Sequence, residues 1–252
     1  MRRGLAYLAP ILLTGGTAHA GRTFYGWLYG TEVLPERGAE AASWIAEEND
    51  LSDEDHASET RWWVAPLIGI NDQLELAIPA EIAWGRSDMS PGHTAFDRWG
   101  AELRYRLVTQ DPVDAPPWAA LVRVGVKRAV TERQTVSPEA DFVASYDAGD
   151  VNILADVGVY GEVARECPRG EPTCDKTHFE MRPGAGVSVK AIGDVRFGAE
   201  VHAEFTLDNG GSWAVVGPNM AWSHGRFWMS AAYGIGVYGI KDAPKVQWGI
   251  AF

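Results

Sequence analysis

The stretch from His178 to Leu207 leaves this chain little freedom, because its side chains alternate in character two residues at a time. Phe179, Met181, Pro183, Ala185, Val187, Val189 and Ala191 fall on one face, with His178, Glu180, Arg182, Ser188 and Lys190 on the other. After Gly193-Asp194 the pattern resumes, with Val195, Phe197, Ala199, Val201, Ala203, Phe205 and Leu207 set against Arg196, Glu200, His202 and Glu204. Successive side chains of a strand leave opposite faces of the pleat, so a sustained period of two means β-structure. Strands of soluble domains usually run about five or six residues. These run to roughly ten or more, the length that crosses a bilayer when tilted. One face is greasy and the other carries both signs of charge, the pattern of a transmembrane β-barrel with lipid outside and a polar lumen.

Composition does not reveal this, since a barrel needs apolar residues only at alternate positions. The 252 residues carry a formal charge of −12 and are 46% hydrophobic, unremarkable for a soluble protein. No apolar run long enough for a helical span follows the start. The start itself, Arg2 and Arg3, then "LAYLAPILL", then "AHA", reads as a secretory signal cut after Ala20, with no cysteine next to suggest a lipid anchor. Residues 1–20 are therefore expected to be a signal peptide, 21–38 an N-terminal segment in the periplasm or the barrel mouth, and 39–252 the barrel. Export together with barrel strands implies a Gram-negative outer membrane. Cys167 and Cys174 are expected to form a disulfide closing a polar loop, as an oxidising compartment permits.

Along the chain, residues 39–49 alternate weakly and are read as placing Ala42, Trp44 and Ala46 outward. The acidic run with Asp50, Asp53, Glu54 and Asp55 is read as a solvated loop, because the spacing and glycine of a calcium loop are absent. Trp62, Val64, Pro66, Ile68 and Ile70 face lipid, and a three-residue turn at 71–73 keeps Leu74, Leu76, Ile78, Ala80, Ile82 and Trp84 on the same side. Residues 86–94 are expected to be a longer loop holding His93. Gly149-Asp150 and Gly225-Arg226 suit two-residue hairpin turns, pairing Tyr146 with Ile153 and Trp222 with Met229. Near Gly193 both strands send odd positions to lipid, which calls for an odd-numbered turn of three. Trp62, Trp84, Trp99, Trp118, Trp213, Trp222 and Trp248 lie towards strand ends, where interfacial girdles sit. The sum is an all-β, closed antiparallel transmembrane β-barrel of about 12 strands, an even number with no free edge.

The inward positions define the candidate site. Arg98, Glu102, Arg104, Arg106, Arg123 and Lys127 form a largely basic wall, flanked by Glu75, Glu81, Asp141, Asp147, Asp156 and Glu162. Glu180, Arg182, Lys190, Arg196, Glu200, His202 and Glu204 continue the lining. Opposed charges of this kind orient polar solutes in pores, so the expected function is a porin-like barrel passing a small polar or charged solute. Inward glycines, Gly184 and Gly186 among them, are read as leaving room for a narrow channel. A barrel of this size can also be filled by its own side chains, which leaves a structural barrel as the alternative. An outer-membrane hydrolase is the less favoured rival. His56 and Ser58 are close in sequence but sit in the acidic loop, His202 has Gly184 or Gly186 expected opposite it rather than a serine, and His93, His178 and His224 lie in a loop or near strand ends, so each is read as solvated or ion-paired. No metal or cofactor motif and no nucleic-acid surface is seen, so the expected partners are outer-membrane lipid and lipopolysaccharide.

The terminal "VQWGIAF", ending in Phe252, resembles the C-terminal strand that bacterial outer-membrane barrels present to their assembly machinery. More narrowly, "GTEVLPERGAEAASWI" and "SYDAGDVNILADVG" are similar to segments of proteobacterial barrel families, including putative transporters associated with phenol-degradation pathways. The resemblance implies insertion by that machinery and solute transport, and brings no catalytic or binding motif with it.

Overall fold

The computed structural model describes residues 23–51, 57–87, 90–108, 116–130, 135–164, 176–208 and 211–252. The expected signal peptide, most of the acidic loop with His56, and the Cys167–Cys174 pair lie outside them.

Thirteen strand segments follow one another: β1 (Ala39–Asn49), β2 (Ser58–Asn71), β3 (Leu74–Ala77), β4 (Ala80–Ser87), β5 (Ser90–Arg106), β6 (Trp118–Ala129), β7 (Val136–Ala148), β8 (Val151–Ala164), β9 (Lys176–Ile192), β10 (Val195–Thr206), β11 (Trp213–His224), β12 (Phe227–Tyr238) and β13 (Asp242–Ala251). β3 and β4 both pair with β2 and β5 and form one crossing interrupted at Ile78-Pro79, so the thirteen segments make twelve spanning strands. Proline has no N–H for the ladder, which is why the break falls there. β1 pairs with β2 on one side and β13 on the other, closing the antiparallel barrel. With no open edge, the strand backbone can pair fully inside a membrane.

The outer face carries exposed Ile68, Leu103, Val126, Phe142, Val157, Phe197, Val201, Val216 and Ile235, the apolar half of each alternation. Turns 72–73, 149–150, 193–194 and 225–226 lie at one end, here the turn end; the other is the loop end. Gly149, Gly193 and Gly225 take φ of 64°, 57° and 60°, the left-handed region such turns need. Tyr146 pairs with Ile153 and Trp222 with Met229, as the alternation requires.

Four local expectations are corrected. The turns near 72 and 193 hold two residues, not three. A register shift beside each, at Gly69/Asn71 and Val195/Arg196, adds the odd residue and keeps the apolar sets together. His93 lies in β5, because the β4–β5 ribbon continues to Ser87 and Ser90 where a long loop was expected. β1 has the opposite facing: Ala42, Trp44 and Ala46 point inward and Ile45 outward, because the same inward face holds Glu40, which is buried, and Glu48. Trp213 is not a girdle residue. It is 4% exposed and its ring meets Trp27 edge-on at 5.6 Å inside the lumen.

Candidate functional site: a lumen closed by its own N-terminal segment

Residues 23–34 occupy the barrel interior, and the exposed Pro35, Glu36 and Arg37 lead the chain out to β1. The segment enters at the turn end, where Phe24 lies under the Arg196 guanidinium, and its tip, Trp27–Tyr29, reaches the middle of the lumen. It then descends past Ser145 and Arg106 to Gly69 and joins β1. Tyr25 and Leu28 are wholly buried and Trp27 and Leu34 nearly so. These rings seed the main apolar cluster, with Leu121, Val143, Leu154, Val215 and Ala243 from the wall.

A buried segment with no strand beside it must find other acceptors for its N–H groups. Inward carboxylates supply them. Glu200 Oε1 accepts from the backbone of Gly26 (3.0 Å) and Trp27 (2.9 Å), Asp156 Oδ2 from Tyr29 (3.3 Å) and Glu75 Oε2 from Leu34 (2.8 Å). Carbonyls are met in turn: Ser230 Oγ donates to Tyr25 O at 2.8 Å and Gln247 Nε2 to Gly26 O at 2.6 Å. The Tyr25 hydroxyl reaches Asn152 Oδ1 at 2.8 Å, and the Trp27 indole N–H donates to Ala243 O at 3.0 Å. Burial pushes both the Tyr25 and Tyr29 phenols well above their ordinary range, so both stay neutral.

The wall is shaped to receive this segment. A Cβ added at Gly186 would stand 2.4 Å from the Tyr25 ring, and one at Gly184 2.3 Å from Leu28. Nothing larger than glycine fits without moving the segment. The space expected to form a channel at these two glycines is therefore filled by Tyr25 and Leu28.

The charged residues of β3–β8 pair with each other rather than standing as opposed ladders. Register places Glu75 opposite Arg104, and Arg123 opposite Asp141, on neighbouring strands. Arg123, 2% exposed, contacts Asp141 at 2.7 Å, Glu139 at 2.9 Å and Glu102 at 3.2 Å. Lys127 contacts Glu81 at 2.7 Å and Glu139 at 2.9 Å, and Arg104 reaches Glu75 and Glu102 at 3.5 Å each. Arg98 pairs with Glu162 at 2.8 Å and also meets the Tyr160 hydroxyl. Arg106 pairs with Glu32 of the inner segment at 3.0 Å, and Arg182 with Glu180 and Glu204 at 2.7 and 3.3 Å. Adjacent strands bring opposite charges into contact, and a poorly solvated interior strengthens that attraction. Tyr29 lies against the same network, its ring 4.2 Å from the Arg123 guanidinium carbon.

Not every expected lining residue reaches the lumen centre. Lys190 is exposed near the 193–194 turn, where the strands leave the barrel body; Asp147 is exposed at the turn end, accepting from Asn152 at 2.8 Å, and Arg196 lies nearby against Ser188. His202 sits opposite Gly184, its ring stacked on Trp27 at 5.1 Å, with Glu204 Oε1 3.7 Å from Nε2. His178 lies between Glu180 and Asp208, and His224 beside Asp194. Among the described residues no serine hydroxyl bonds a histidine.

Space remains at both ends of the plug. A chamber of about 70 Å³, partly open, lies at the loop end above the Trp27–Tyr29 tip, lined by Trp44, Glu48, Arg61, Arg182 and Lys245 among others. Another, of about 210 Å³, lies at the turn end around Phe24, Tyr25, Asp147 and Arg196. Glu48, Arg61, Glu139 and Lys245 were not singled out from sequence. Glu139 follows a proline in a stretch that reads as a loop, and Lys245 falls on the face opposite the apolar Val246, Trp248 and Ile250 of its strand.

This arrangement defines a class, the closed twelve-strand antiparallel β-barrel with an internal plug. No family model matches the chain, and no curated protein matches it. Solved structures do. The β domain of the Bordetella autotransporter BrkA aligns at TM-score 0.55 and 12% identity over 86% of this chain and all of its own. The translocator domain of the autotransporter NalP from Neisseria meningitidis gives 0.56 and 8%, covering 88% of this chain and 89% of its own. An outer membrane channel from Pseudomonas putida F1 gives 0.55 and 9%, covering 88% and 98%. At these identities the likeness is one of fold, that of outer-membrane β-barrels.

Proposed function

We propose that the protein is a channel of the Gram-negative outer membrane, with its turn end in the periplasm and its loop end outside. Small polar or charged solutes cross it when residues 23–34 withdraw from the lumen. One observation carries this reading: two polar chambers lie on either side of a plug tied to the wall by hydrogen bonds and ion pairs, outside the strand ladder. Such ties can be exchanged for water. The acidic and basic groups of the wall then line the path, and no catalytic step is assigned, His202 being committed to an aromatic stack. The fold likeness to a solved outer membrane channel supports the same reading. A permanently filled structural barrel is favoured by a different observation, the three carboxylates gathered on Arg123.

Proteoliposome swelling separates the two. Vesicles holding the chain without residues 21–38 should swell in small solutes of either charge far faster than vesicles holding residues 21–252. Equal, background swelling of both would mean a filled barrel.

A further inference from the structure

Two side chains of opposite ionic type in the loop-end chamber make no ion pair or hydrogen bond with the described residues of the barrel, Arg61 acting on one and Glu200 and Glu204 on the other only through space. Most of its ionic lining is self-contained: Arg98 with Glu162, Lys127 with Glu81, Arg182 with Glu204, Arg61 with Glu59. Asp156 accepts from the plug backbone. Among the described residues that line the chamber, Lys245 and Glu48 are the charged side chains left without an ion pair or hydrogen bond. Lys245 is 8% exposed, its ammonium 4.8 Å from the Trp27 ring centre and 4.6 Å from that of Trp44. Ring faces attract a cation but replace a carboxylate only in part. An ammonium so placed still has its hydrogen-bond donors free for an anionic group that enters the chamber.

The two groups are also neighbours. Ala46 of β1 pairs directly with Lys245 of β13, and Glu48 lies two residues further along the same inward face, the diagonal position on adjacent strands. Diagonal side chains start about 7–8 Å apart, a gap that one small molecule bearing both charges can bridge. A lone anion or a lone cation satisfies only one of the pair.

Resting on the channel reading above, we propose that this chamber binds a small zwitterion of the α-amino-acid type. Its carboxylate sits on Lys245, its ammonium on Glu48, and its carbon skeleton lies against Trp44. Each charged group of the ligand gains a charge-assisted hydrogen bond, and the molecule enters with no net charge to desolvate.

The test is calorimetric titration of folded residues 21–252 in detergent with L-alanine, propionate and ethylamine in turn. Alanine should bind at least about tenfold more tightly than either single-charge analogue, and Lys245→Met and Glu48→Gln should each weaken it by about tenfold. Lys245→Arg, which keeps the cation, should retain binding, and heat-modifiable gel migration checks that each variant is folded. Equal affinity for the three probes, no binding of alanine, or full alanine binding by folded Lys245→Met overturns the proposal. Swelling is read separately: a chain that conducts without residues 21–38 yet ignores alanine loses the zwitterion site and keeps the channel.

Discussion

The two sides of the lumen are built on opposite principles. The β3–β8 side is ionic, with Glu75, Glu81, Glu102, Arg104, Arg123, Lys127, Glu139 and Asp141 buried or nearly so and paired across strands. The β9–β13 side has smaller residues and fewer ion pairs, with Gly184, Gly186, Gly217, Ala232 and Gly234 facing in beside Glu200 and Lys245. The plug leans on the second side, where Gly26 lies so close to Ala232 that an added Cβ would stand 2.5 Å from its methyl. It reaches the first through polar ties: Tyr25 on Asn152, Tyr29 on Asp156 and against Arg123, Thr31 on Ser145, Glu32 on Arg106 and Leu34 on Glu75. The ionic side is held chiefly by pairs within its own strands, whereas the small side is where the plug packs most closely. Stability and closure are carried by different residues and can be altered apart.

The largest effect should come from the ionic side. Arg123→Met strands Glu102, Glu139 and Asp141 without their shared cation and should cost about 3–5 kcal/mol, read by urea unfolding in lipid vesicles. A smaller loss would mean water already solvates that wall. On the small side, Gly186→Val drives a side chain into the Tyr25 ring, an overpacking of about 1–3 kcal/mol. That strain is relieved by expelling the plug, so residues 23–34 should become open to protease while the barrel's own unfolding midpoint barely moves. Coupled loss of both would erase the distinction between the two sides. The smallest effect is expected for Tyr25→Phe, which removes the hydroxyl on Asn152 and should loosen the plug by about 0.5–1.5 kcal/mol, read as faster proteolysis of the same segment.

How much of this was legible in the sequence follows from where a period exists. Wherever lipid touches one face, the alternation is forced, and the pairings Tyr146–Ile153 and Trp222–Met229 could be read directly. Turn lengths could not. Parity demands an odd residue without saying whether the turn or a bulge supplies it, and at 72–73 and 193–194 the bulge does. β1 was read inside out because Ala41, Ser43 and Ile45 are scarcely more apolar than Ala42, Trp44 and Ala46. Its outward Ser43 is made tolerable by the indole N–H of Trp62, 2.7 Å away.

The site was the least legible part. Residues 23–38 have no period to read, and their acceptors, Glu75, Asp156 and Glu200, look like pore charges until the plug's N–H groups are seen on them. The available signal was a coincidence: an aromatic run, "FYGWLYG", in a chain whose polar face on β9 is interrupted midway by two glycines, Gly184 and Gly186. Side chains missing from one wall anticipate bulky rings arriving from elsewhere.

That residues 23–34 close the lumen is tested most directly by single-channel recording in a planar bilayer. The chain comprising residues 21–252 should give silent traces or rare, brief openings, and the chain lacking residues 21–38 should give steady, long-lived current steps. Steady steps from the longer chain, unchanged when the segment is removed, would contradict the account.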